Sequence, residues 1–174
     1  MSLFVVDVES DGPAPGLYSM VSFGAIRVDE ALATLFHGQV RPITEKWVPE
    51  ALAVSAISRE QHMRHEEPKV VMERFALWLK EHSKGRPVFV SDNPAFDWQF
   101  INYYFHAFGQ GNPFGFSARR IGDIYSGLVK DMFASSEWKK LRKTTHTHRP
   151  VDDAKGNAEA LLAFAKEHGL GLPK

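Results

Sequence analysis

The apolar run Leu3-Phe4-Val5-Val6 gives way to the alternation Asp7-Val8-Glu9, a pattern that predicts a buried strand over 3–8. The turn-rich stretch 10–16 breaks it, and apolar positions over 20–28 and 35–40 predict two more strands, so the chain opens as a three-stranded meander. A short helix is expected over 50–57. A longer one is expected over 67–82, with Val71, Phe75, Trp78 and Leu79 on one face and Gly85 as its stop. A fourth strand follows over 87–91, then a helix over 95–108 entered through Asn93-Pro94. Beyond the glycine- and aromatic-rich loop 109–116 the pattern predicts a helix over 123–133, a polar basic stretch to Arg149 and a last helix over 151–167. Strands first, then helices around one further strand, predict a mixed α/β sheet flanked by helices.

Composition narrows this picture. A chain of 174 residues that is 44% hydrophobic and 12% aromatic is expected to be one globular domain spanning 1–174. Its formal net charge of zero argues against a protein that grips nucleic acid by bulk charge, while leaving room for a local basic patch. The chain opens as a strand with no basic leader, and no run of about 18 apolar residues occurs, so a soluble protein without membrane contact is expected. The absence of cysteine excludes disulfides and thiolate chemistry and fits the reducing cytoplasm.

The chemistry lies in acidic residues placed where elements end. In a strand, Asp7 and Glu9 share one face about 7 Å apart, close enough to bind one cation or bridge two. Acidic residues after a strand commonly form its turn, but Ser10-Asp11-Gly12 already supplies one here. In Ser91-Asp92-Asn93-Pro94-Ala95-Phe96-Asp97, Asn93 or Asp92 can cap the following helix, and its dipole favours Asp97 near the start. His148-Arg149-Pro150-Val151-Asp152-Asp153 likewise fits a helix start, with His148 just outside it. At about 100° per residue, Asp153 borders the buried face of that helix and Asp152 points away from it. Each motif alone has this plain structural reading. Together they offer converging carboxylates that need a cation between them, with a histidine beside the last.

Asp7-Val8-Glu9, Asn93 through Asp97, and His148 with Asp153 resemble, in order and spacing, the three motifs of the DnaQ-like 3′ to 5′ exonucleases of the DEDDh type, in the ribonuclease H-like superfamily. Val54-Ser55-Ala56-Ile57 resembles the family's connecting segment, so the likeness spans nearly the whole chain. Asp92 departs from the histidine that many members carry there, and Ser10 from a common threonine. The resemblance implies a ribonuclease H-like sheet, with Asp7, Glu9, Asp97 and Asp153 holding two Mg²⁺ or Mn²⁺ ions about 3.5 to 4 Å apart. His148 is then the general base, single-stranded RNA or DNA 3′ ends are the substrate, and nucleoside 5′-monophosphates are the product.

For substrate contact the sequence offers Phe96 as a base-stacking ring, together with Asn93, Arg149 and Lys143. Lys139, Lys140 and Arg142 extend the basic stretch before His148. The plain readings are a core phenylalanine and a solvated surface, and Trp47, Trp98, Tyr103 and Tyr104 are expected to pack. Two rival functions stand beside the exonuclease. One is a zinc-dependent hydrolase built on His146 and His148, with His37, His62, His65, His82, His106 and His168 as further donors, which leaves Asp7-Val8-Glu9 without a role. The other is a non-catalytic nucleic-acid-binding module, which the intact carboxylates and histidine argue against. A homo-oligomer is compatible with the pattern.

Overall fold

The computed structural model describes residues 1–172. An apolar run with both faces to bury belongs in the middle of a sheet, and β1 (Ser2–Ser10) takes that place in a five-stranded sheet of order β3-β2-β1-β4-β5. β2 (Met20–Arg27) pairs antiparallel with β1, and β3 (Leu35–Gln39) with β2. β4 (Pro87–Ser91) runs parallel to β1, and β5 (Ala118–Arg120) parallel to β4. The helices are α1 (Pro49–Val54), α2 (Arg59–Met63), α3 (Pro68–His82), α4 (Pro94–Phe108), α5 (Ile121–Val129) and α6 (Pro150–Glu167). Among the described residues no helix is long and apolar enough to cross a membrane.

Strand alternation divides the core in two. Phe4, Val6 and Val8 face α3 and α4, where Phe75 lies against Phe23 and Phe36, each 4.8 Å between ring centroids, and stacks on Phe105 at 5.5 Å. Leu3 and Val5 face the other way, onto Ala154, Ala158, Leu161 and Phe164 of α6 and onto the buried Trp138. Each large side chain so buried contributes about 1.5 to 3 kcal/mol, which is what holds helices on both faces. Trp98 packs edge-on against Phe89 and Tyr104 is fully buried, while Trp47 and Tyr103 keep more than a third of their surface exposed.

The structure departs from the sequence pattern where local signals were weak. The helix expected over 50–57 stops at Val54, Ala56 turns left-handed (φ 53°), and α2 follows behind a capping box of Ser58 and Gln61. α3 ends at His82 with Ser83 already extended, so Gly85 (φ 78°) makes the turn into β4 rather than stopping the helix. The helix expected over 123–133 begins at Ile121 and ends at Val129, where Lys130 is left-handed (φ 60°). The end of that expected helix is instead a 3₁₀ turn, Met132–Ala134, and a second, Glu137–Leu141, lies in the basic stretch.

Candidate active site

The face of β1 that carries Leu3 and Val5 continues into Asp7 and Glu9, so both carboxylates point toward the start of α6. Parallel pairing with β4 ends at Val5 opposite Val90. Beyond that point the N–H of Val8 donates to Asp97 Oδ1 at 3.1 Å, which fixes the carboxylate of α4 beside the strand. α4 starts there because the chain leaves β4 at Ser91 and Pro94 presets the first helical residue. Asn93 holds the cap position, yet its side chain makes no cap bond. Its carbonyl accepts from the N–H groups of Phe96 and Asp97, at 2.8 and 2.9 Å.

Asp153 arrives from the first turn of α6, and Gly24 makes that approach possible. Gly24 pairs with Asp7 in the sheet, and a Cβ at position 24 would lie 2.4 Å from the Pro150 carbonyl oxygen and 2.5 Å from the Val151 nitrogen. With only hydrogen there, the helix start rests on the strand. The Asp153 carboxylate is then 2% exposed, with Oδ1 accepting from the Thr147 N–H at 2.9 Å. Asp152 is half-buried and its Oδ2 lies 3.5 Å from Arg149 Nε, so the two aspartates face different surroundings.

Oxygens of Asp7, Glu9 and Asp153 all lie within 4.8 Å of one another. Burial raises the Asp7 carboxyl well above its usual range, reinforced by Asp97, Asp153 and Glu9 and partly offset by Arg142. Burial likewise pushes Glu9 up to about 8, with Asp153 and Asp97 adding repulsion. Asp97 rises to about 7 chiefly by burial, against polar neighbours, the Val8 N–H among them, that favour its charged form. This cluster is acidic, all-oxygen and short of counter-charge. Asp153 Oδ2 is also a buried acceptor without a hydrogen bond. Both observations fit a hard divalent cation.

His148 stands over the cluster, half-exposed, with Nδ1 3.5 Å from Glu9 Oε1. Its left-handed backbone (φ 58°) turns the chain over the cleft just before α6 begins. His146 lies beside it, ring centroids 4.4 Å apart, and its Nδ1 is 3.0 Å from Asp153 Oδ2. Among the described residues, the other six histidines join neither group of potential ligands.

The residues expected to contact substrate are placed unevenly. Phe96, half-buried in the first turn of α4, packs on Phe100 at 5.2 Å, and Asn93 is exposed at the same helix start. Arg149 is exposed at the start of α6. Lys143 instead lines a separate surface depression with Lys155, Glu159 and Leu162. The basic stretch, expected to contact phosphates or to form a solvated surface, is partly paired within the chain: Asp92 takes Lys139 at 2.6 Å and Arg142 at 3.5 Å, and Lys140 pairs with Glu137. Arg142 also lies over the Trp138 ring at 4.9 Å. Its influence on Asp7 has no signal in the sequence, because the two residues are brought together only by folding.

The sequence matches one family, and solved structures share its fold. The model of the family described as Exonuclease matches residues 4–161. The 3′-5′ DNA exonuclease Cap18 of Escherichia coli is 39% identical over 169 residues, covering 92% of this chain and 90% of that protein. Exonuclease X, solved in complex with 5′ overhanging duplex DNA, aligns over 97% of this chain and 94% of its own, with a TM-score of 0.68 and 17% identity. A 3′-exonuclease solved in a study of 3′-end specific recognition of histone mRNA stem-loop aligns over 95% of this chain with a TM-score of 0.74 and 17% identity. This chain spans 64% of that structure. Such distant structures show the fold alone, and the five-stranded mixed sheet is the ribonuclease H-like fold of these nucleases. With the family model covering most of its length, this chain belongs to the exonuclease family.

Proposed function

We propose that the chain removes nucleotides one at a time from the 3′ ends of single-stranded DNA, with Asp7, Glu9, Asp97 and Asp153 holding two Mg²⁺ or Mn²⁺ ions and His148 acting as general base. The observation that carries this reading is the convergence of Asp7, Glu9 and Asp153 oxygens within 4.8 Å, buried and without adequate counter-charge. Two divalent ions bound there supply a nucleophilic water at neutral pH and stabilise the leaving 3′ oxygen. Asp97 is pinned by Val8, so its carboxylate is oriented before any ligand arrives. His148, half-exposed beside Glu9, accepts the proton that the attacking water gives up. Products are nucleoside 5′-monophosphates.

The 39%-identical relative is named a DNA exonuclease of 3′ to 5′ direction, which supports both the polarity and DNA over RNA. Phe96, Asn93 and Arg149 lie at the two helix starts that bear Asp97 and Asp153, a position that supports contact with the terminal nucleotide. Lys143 is retained only as a more remote phosphate contact. The same reading includes a single domain over 1–174, whose last two positions lie outside the described residues. It also includes a cytoplasmic setting, supported by the lack of cysteine, and self-association as an oligomer.

The test is digestion of matched DNA and RNA oligonucleotides carrying a 5′ label, with Mg²⁺, Mn²⁺ or chelator. A ladder shortening from the 3′ end of DNA, absent with chelator and slowed by a 3′ phosphate, is expected. Rapid cutting of circular single strands would overturn the exonuclease mechanism, and faster digestion of RNA would overturn the substrate.

A further inference from the structure

Asp153 belongs to two groups of potential ligands at once. One is the all-oxygen set with Asp7 and Glu9; the other is His146, His148 and Asp153, whose donor atoms also lie within 4.8 Å of one another. We propose that His146, His148 and Asp153 form a zinc site that switches the nuclease off by engaging His148 and withdrawing Asp153 from the hard-ion cluster.

Three observations carry it. The first is donor chemistry. Two imidazole nitrogens with one carboxylate oxygen suit Zn²⁺, Cu²⁺ or Ni²⁺, whereas Mg²⁺ and Mn²⁺ prefer the carboxylates of Asp7 and Glu9.

The second is an unmet acceptor. Asp153 is 2% exposed and its Oδ1 is satisfied by the Thr147 N–H, but Oδ2 has no hydrogen bond. His146 Nδ1 lies 3.0 Å from that oxygen, off the line along which a ring N–H would donate. A cation between nitrogen and oxygen satisfies both.

The third is freedom to close. Tetrahedral zinc, with ligands at about 2.0 to 2.2 Å, brings donor atoms to roughly 3.3 Å from one another. His146 and His148 side chains are 47% and 48% exposed, so their rings can swing inward without disturbing the core. His146 has no other part in the proposed chemistry, and the Thr147 N–H bond holds this segment against Asp153.

Occupancy changes the reaction in a defined way. An imidazole nitrogen of His148 bound to zinc cannot accept a proton from water, and Asp153 Oδ2 committed to zinc is lost to Mg²⁺. Zinc therefore inhibits hydrolysis at saturating Mg²⁺ rather than replacing it. The inhibitory consequence rests on the proposed role of His148, while the site itself does not.

The test uses full-length protein with Co²⁺ as a coloured stand-in for zinc. Metal-free protein titrated with Co²⁺ is expected to develop the visible bands of a four-coordinate nitrogen and oxygen site, discharged by one equivalent of Zn²⁺. His146→Asn and, as a second variant, His146→Gln should lose those bands. Both should keep the Mg²⁺-supported rate and need much more zinc for half inhibition, exceeding the roughly 10 to 100-fold cost of losing an outer-shell partner. Bands that persist in folded His146 variants, or equal zinc sensitivity of variants and parent, would overturn the site. If no nuclease activity were found, the proposed function would fail while the Co²⁺ titration still decided the ligand set.

Discussion

Asp11 and the Asp7 cluster are both taken from solvent near one end of β1, and they differ in what surrounds the charge. Asp11 is fully buried, but Arg59 Nη1 reaches its Oδ2 at 2.7 Å and the Ser19 N–H donates to its Oδ1 at 2.5 Å. Burial raises its pKa while Ser19 and Arg59 pull it back. The sequence placed Asp11 in a simple turn; the structure makes it the tie between that turn and α2. Asp7, Glu9 and Asp153 meet instead, with Asp97 close enough to repel them and Arg142 as only a partial offset. Burial of a carboxylate is therefore no mark of function by itself. The mark is a buried carboxylate whose compensating cation the chain does not supply.

This contrast is most strongly tested by Asp7→Ala. Oligonucleotide hydrolysis should fall by more than about 100-fold, beyond the loss typical of an outer-shell partner. The thermal midpoint of metal-free protein should hold or rise, because one repelling charge is gone. A variant that hydrolyses DNA at the parental rate would place the metal elsewhere.

His148→Ala separates chemistry from assembly. Single-turnover rates should drop by roughly 10² to 10⁴-fold, while Mn²⁺ affinity measured by titration calorimetry stays near that of the parent. A lost Mn²⁺ affinity would show that this histidine is a ligand.

Asp11→Ala should have the opposite character. It strands the Arg59 guanidinium, which is 19% exposed, at a cost of about 3 kcal/mol, the lower end for a broken buried pair. For a chain of this size that is a fall of roughly 6 to 12 °C in thermal midpoint, with activity retained below it. A lost rate in protein that is still folded would give Asp11 a catalytic part.

The last test of the comparison is pH dependence. Without metal, Glu9 and Asp97 titrate near 8 and 7 in the folded protein, against ordinary values of 4.5 and 3.8. Between about pH 4 and 8 the folded state thus binds more protons than the unfolded chain, so stability declines as pH rises through that window. Mg²⁺ should recover more of the midpoint at pH 8 than at pH 5, as it replaces those protons. Scanning fluorimetry with chelator that shows no decline would contradict the buried cluster.

Where function is local in sequence, it was legible. β1 and β4 carry enough apolar pattern to be placed from the sequence, and the site carboxylates lie at the end of β1 or in the first turns of α4 and α6. Asp153, at the border of the helical stripe, is buried as periodicity predicts, and Asp152 less so. β5 was not legible, because Ala118-Arg119-Arg120 has no strand pattern and exists only through pairing with β4. Nor were the partners of Asp92 and Asp11, since Lys139, Arg142 and Arg59 reach them through folding rather than spacing. The short, broken end of α5 depends on Lys130 adopting a backbone that its side chain does not favour.

Gly24 limits how this chain can drift. It offers no donor, no charge and no surface to a substrate, so a survey of chemistry would pass over it. A methyl group there nevertheless meets the first residues of α6 and shifts the spacing between Asp7 and Asp153. The least reactive position of β2 therefore has no room for even a methyl group, and the dimensions of the active centre are inherited through a side chain that is only a hydrogen atom.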